Sequence, residues 1–139
     1  DGKHNLIDHP KLQKLKTQNR LILACPEMLG GLPTPRDPAE IISSSKTLKI
    51  QTQLSIDVTS HFLEGANQTL KICKDNHINI ALMAAKSPSC GNEETYNGEF
   101  NKTLIKRAGI TAQLLQENGI KVFNQNQLSD FFQYLEQLN

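Results

Sequence analysis

Tryptophan is absent from this 139-residue chain, tyrosine occurs twice and phenylalanine five times. So few aromatic rings leave little with which to stack on nucleic-acid bases. Charge of one sign is lacking too. Fifteen Lys and Arg stand against fourteen Asp and Glu, a formal net charge of +1. Such a balance gives neither a phosphate backbone nor an anionic membrane surface a long-range attraction. No apolar run approaches the about 20 residues that cross a bilayer as a helix, and no signal peptide is visible. The expectation is a protein without nucleic-acid or membrane partners. Cysteine is scarce, with three residues, an odd number for a disulfide framework. Together with the missing export signal this favours a reducing cytoplasm, where thiols serve packing, metal or chemistry. The chain opens at Asp1 without a methionine, so residues upstream of it are expected.

What is present reads as one domain over residues 1–139, long enough to bury a core. Residues 9–19 form a short polar helix with Pro10 suited to its first turn. LILAC, residues 21–25, is an unbroken apolar run and reads as a buried strand. The stretch PEMLGGLPTPRDPAE follows. Four of the six prolines lie between Pro26 and Pro38, with Gly30 and Gly31 among them. It reads as a long, stiff loop that is neither helix nor central strand, and such loops are more often functional than idle. Residues 46–53 alternate like an edge strand, and Asp57 is placed to cap the next helix. In that helix Val58, Phe62, Ala66, Thr69, Leu70 and Cys73 recur at helical spacing. Residues 78–84 are a second buried strand. A helix is expected over 104–118 with Gly119 just past its end. A short strand at 120–123 and an amphipathic helix carrying Leu128, Phe131, Phe132 and Leu135 complete the chain. Strands alternating with helices imply an α/β fold, a three-layer Rossmann-like domain with a mainly parallel sheet.

In such sheets ligands bind outside the carboxyl ends of the strands. Cys25 ends one apolar strand, and the stretch SPSCG, residues 87–91, follows another. Parallel neighbours would bring Cys25 and Cys90 to one sheet edge. The pair could form a disulfide, bind metal or supply a nucleophile. A cytoplasmic disulfide is disfavoured, and no CxxC or HxxxH ligand pair occurs. Cys73 shares the apolar stripe of its helix and reads as core packing. His4, His9, His61 and His77 read as surface residues. Glu27, two residues beyond Cys25, is placed for general acid or base work if burial tunes it; a solvent-facing loop acid is the commoner case. Arg36 could fork onto a ligand oxygen or tie its own loop. Ser87 and Ser89 could cap turns or donate hydrogen bonds to a ligand. Asn97-Gly98 is a turn signal.

Five blocks resemble one known family: CPEMLGGLPTPRDPAEI, DVTSHFLEGA, KSPSCG, YNGEF and GITAQLLQENGIKVF. The chain is identified by them as a member of the family known as domain of unknown function 523, over about residues 25–123. Some members of that family are thiouracil desulfidases. The resemblance implies a [4Fe-4S] cluster held by three cysteines, with one iron left open to the sulfur of a thiolated pyrimidine. Water then replaces sulfur at the ring carbon without net redox change. Carried over, Cys25 and Cys90 are two of the cluster ligands. Glu27 is the proton-carrying acid and Ser87 a substrate-orienting or proton-relaying hydroxyl. Arg36 and Ser89 are expected to contact the substrate. Asp1-Gly2-Lys3 resembles the end of the family's amino-terminal block, which carries the third cysteine and is not in this sequence. The family's Gly-Asp-Gly-like turn is replaced by Arg107-Ala108-Gly109. The rival readings are a non-catalytic module binding a metal, cluster or small ligand, and a cluster-free hydrolase with Cys90 as nucleophile.

Overall fold

The computed structural model describes residues 29–32 and 37–137. The helix expected over 9–19 and the strand expected over 21–25 lie outside them. The elements run β1 (Ala39–Ile41), β2 (Ile50–Thr52), α1 (Thr59–Asp75), β3 (Ile80–Met83), β4 (Thr95–Tyr96), β5 (Leu104–Ile105), α2 (Ile110–Glu117), β6 (Lys121–Asn124) and α3 (Leu128–Gln137). A single 3-10 turn, Gln125–Gln127, joins β6 to α3. The architecture is mixed α/β.

Helix α1 follows its sequence pattern closely. Val58, Phe62, Ala66, Thr69 and Cys73 are all buried, and Leu70 is half-buried against the core. Burying a side chain as large as Phe62 stabilises by about 1.5–3 kcal/mol. Asp57 does not stand at the N-cap, which Val58 occupies. Its Oδ1 instead accepts from the Thr59 amide at 2.9 Å and the Thr59 hydroxyl at 2.6 Å. These bonds hold the Asp57 carboxyl below its usual range.

Strands β3 and β6 pair in parallel, Ile80 opposite Lys121 through Met83 opposite Asn124. Successive strand residues point to opposite faces, and the packing follows. Ala81, Met83 and Val122 join Cys73, Ala112, Leu115 and Ile120 in one apolar cluster, against α1 and α2. Ile80, Leu82 and Phe123 join Phe131 and Leu128 in another, against α3. There Phe123 meets Phe131 edge to face, with ring centroids 6.0 Å apart, a favoured aromatic geometry.

The other described strands are antiparallel. β1 pairs with β2 and β4 with β5. The expected mainly parallel sheet is therefore represented, among the described residues, by one parallel pair beside two short antiparallel ladders. Two further expectations are corrected. The proline-rich stretch ends in β1, because Pro38 needs no amide bond there while its carbonyl accepts from Gln53 at 3.1 Å. The helix expected over 104–118 begins only at Ile110. Leu104 and Ile105 are taken by β4, as partners of Tyr96 and Thr95. Gly119 does follow the helix end in the left-handed region, at φ +80°, where glycine carries no Cβ penalty.

Candidate functional site

The segment after β3 leaves the carboxyl end of the parallel pair, where α/β folds place their ligands. It turns at once. Lys86 takes φ +70°, a conformation uncommon outside glycine. Ser87 then organises the loop with its own side chain. Its Oγ accepts from the amides of Ser89 and Cys90, both at 3.1 Å, and its carbonyl accepts from Gly91 at 2.9 Å. Short hydroxyl side chains favour such local bonds over regular structure. SPSCG is thus a closed, self-bonded turn.

The turn is mounted on α2. A helix leaves its first four amides without intrahelical partners. Here the loop's carbonyls take them: Gly109 donates to Gly91 at 2.7 Å, Ile110 to Pro88 at 2.9 Å, and Thr111 and Ala112 to Ser89 at 2.8 and 3.0 Å. No side chain caps this helix. The approach is so close that a Cβ on Gly109 would lie 2.6 Å from the Ser89 carbonyl carbon. Only glycine fits there. Behind the turn, the Ser89 and Thr111 hydroxyls meet at 2.7 Å, and both residues are 0% exposed.

Cys90 is 8% exposed and is itself a buried member of the cluster that holds Cys73, Met83, Ala112 and Leu115. Asn92 continues the mount on the strand side. Its side-chain amide donates to the Val122 carbonyl at 3.0 Å and to Gln127 Oε1 at 2.9 Å. Its own oxygen accepts from Asn124 Nδ2 at 2.8 Å. This carboxamide network floors a polar cavity of about 200 Å³ beside the loop, with Lys86, Glu93 and Glu94 on its walls. That is smaller than the roughly 300–1,000 Å³ of pockets for drug-sized ligands.

Of the residues singled out from sequence, Ser87, Ser89 and Cys90 stand together on this loop. Cys25, Glu27 and Arg36 lie outside the described residues. Ser89, expected to contact substrate, has its hydroxyl buried against that of Thr111. Cys73 is in the core as expected, and burial pushes its thiol up from the ordinary value. His61 does more than cover the surface. Its Nδ1 lies 2.8 Å from the Gly30 carbonyl and fastens that glycine to α1. A Cβ on Gly30 would collide with the His61 carbonyl. Among the described residues no three His, Cys, Asp or Glu side chains group into a metal site. Thr111, Asn92 and Gly109 escaped sequence reasoning. One signal was available: a glycine before Ile110, with no capping side chain nearby, means that the cap comes from elsewhere.

The chain is similar to known proteins over most of its length. The chain is 40% identical over 126 residues to the uncharacterized protein YbbK of Bacillus subtilis (strain 168), which covers 86% of this chain and 83% of that protein. A solved structure described as the [4Fe-4S]-dependent thiouracil desulfidase TudS, of the DUF523 type, superposes with a TM-score of 0.85 at 37% identity. That match covers 93% of this chain and 83% of the other. The sequence pattern of the 2-thiouracil desulfurase family matches residues 1–127, and the chain belongs to that family.

Proposed function

We propose that this chain is an iron–sulfur-dependent, non-redox desulfidase that removes sulfur from a thiolated pyrimidine such as thiouracil. The observation that carries the reading is the mounted SPSCG turn, which holds Cys90 at the carboxyl end of the parallel pair in a chain of this family. The fold we propose is a single three-layer Rossmann-like domain. The packing of α1 and α2 against one face of β3–β6 and of α3 against the other supports it.

The donor chemistry fits a [4Fe-4S] cluster as far as the described residues reach. Thiolates are what such clusters take, and Cys90 stands on a backbone held at both ends. Cys25 would be the second ligand, and the third would lie in the family's amino-terminal block. When bound, the cluster would supply a thiophilic, Lewis-acidic iron.

The remaining work falls to side chains of this chain. The overall exchange consumes one water and releases one sulfide, C=S becoming C=O, so no electrons are lost or gained. A proton carrier is needed, and Glu27 is the acid placed for it. Ser87, whose Oγ accepts from the amides of Ser89 and Cys90, would be the hydroxyl that orients substrate or relays a proton. Arg36 would anchor a substrate oxygen through its fork of donors.

The reading is tested by anaerobic purification, iron and sulfide analysis, and an absorbance spectrum. About four irons per chain and a band near 400 nm are expected, with sulfide released from 2-thiouracil or 4-thiouracil. Cys25→Ala and Cys90→Ala should each abolish cluster binding, whereas Cys73→Ala should keep it. A bound cluster without sulfide release would favour a non-catalytic binding module. No iron after reconstitution, with Cys90-dependent hydrolysis, would favour the cluster-free hydrolase.

A further inference from the structure

Two hydroxyls face each other at 2.7 Å in the fully buried space between the SPSCG turn and α2. Stability alone does not ask for them. Four main-chain bonds already dock the turn on the helix, and a valine at 111 would fill the same volume without burying a polar group. A buried hydroxyl costs free energy unless it is paired. What the pair adds is control of a single residue. The Ser89 amide is held by Ser87 Oγ, and its carbonyl by the amides of Thr111 and Ala112. Its side chain is held by Thr111 Oγ1. Every polar group of Ser89 is engaged, two of them by Thr111, and the next residue is Cys90.

We propose that Thr111 is a positioning residue for the desulfidase site. Through Ser89 it sets where the Cys90 sulfur stands and keeps it from wandering into solvent. The part that concerns catalysis rests on the proposed ligand role of Cys90; the part that concerns Cys90 itself does not. Thr111 acts through Ser89. Its hydroxyl locks the Ser89 side chain, and the locked Ser89 leaves Cys90 one backbone course between Ser87 and Gly91.

The test uses the full protein with Cys25→Ser and Cys73→Ser, and with any cysteine upstream of Asp1 likewise replaced by serine, so that Cys90 is the one remaining thiol. Alkylation by iodoacetamide at fixed pH then reads Cys90 alone, without any cluster. Thr111→Val should raise the alkylation rate by roughly tenfold, the size of effect one lost buried hydrogen bond produces. Thr111→Ser should stay at the parent rate. In the loaded enzyme with its cysteines intact, Thr111→Val should lower kcat for thiouracil and leave KM in place, with Thr111→Ser restoring kcat. If Thr111→Val folds poorly, Ser89→Ala with Thr111→Val removes both hydroxyls and leaves neither orphaned; it too should raise the rate. An unchanged alkylation rate in folded Thr111→Val, or in the double variant, overturns the proposal. So does a rise in Thr111→Ser equal to that in Thr111→Val, since packing by the methyl would then be the cause. If the parent enzyme releases no sulfide, the desulfidase reading fails, while the alkylation result still decides whether Thr111 positions Cys90.

Discussion

Two loop regions of this molecule are fastened by opposite means. The SPSCG turn is docked on α2 by neutral groups: four main-chain bonds and one hydroxyl pair. The antiparallel region is fastened by two charged side chains reaching far along the chain. Glu40 Oε1 accepts from the amides of Gly98 and Phe100, at 3.0 and 3.2 Å. Arg107 Nη2 donates to the carbonyls of Ile41 and Tyr96, both at 3.0 Å, and its Nε reaches the Thr95 hydroxyl at 3.4 Å. Burial lowers the Arg107 guanidinium from its ordinary value. The difference follows from what each region has to hand. The turn lies against a helix end, which offers a row of unpartnered donors. Strands β4 and β5 have two residues each, too few for a ladder to hold them, so a forked cation gathers the loose carbonyls instead.

The comparison can be broken at three points. The largest effect is expected from Gly109→Ala. The new Cβ would stand against Ser89 and Pro88 backbone atoms that have no way to move aside, so a loss of about 2–3 kcal/mol is expected. Denaturant unfolding measures it, and Cys90 alkylation should accelerate in parallel. Arg107→Met comes next. It keeps the apolar stem and removes the fork, leaving buried carbonyls without donors, at about 1–3 kcal/mol. Here alkylation of Cys90 should not change; a change would show that the two regions are one mechanical unit.

Cys73→Ala is the smallest, at about 1 kcal/mol of lost packing, and it sharpens the contrast between the two buried thiols. The Cys73 thiol is raised above the ordinary 9.0 by burial. The folded chain therefore resists its ionisation while the unfolded chain does not. Its contribution to stability is fully present below about pH 9 and declines as the pH climbs from the unfolded value toward the folded one. The variant should lack this part of the alkaline decline, as unfolding midpoints between pH 8 and 10.5 would reveal. Identical pH curves would mean that Cys73 ionises as easily in the fold as out of it.

Much of this was legible beforehand. The stripe from Val58 to Cys73 spells α1 because one helix face must be apolar over four turns. The apolar run before SPSCG spells β3, and the alternation of Leu128, Phe131, Phe132 and Leu135 spells α3. β1, β4 and β5 were not legible, since two or three residues carry no period. Leu104 and Ile105 fit a helix as well as a strand, and only pairing with β4 chose between them. SPSCG stood out as poor core material just after a strand end. The burial of Ser89 was not legible, because a serine in a loop looks available whether or not a threonine twenty-two residues later covers it.

The sequence by itself determined the mixed α/β alternation, the core placement of Cys73 and the place of Cys90 on a loop at a strand end. These rest on local period and composition, which neighbouring residues carry among themselves. The tertiary structure decided how that loop is held: the carbonyls given to α2, the close approach at Gly109 and the buried bond between Ser89 and Thr111. Those depend on which surfaces meet when the helix packs beside the parallel strands, and no local window contains both partners.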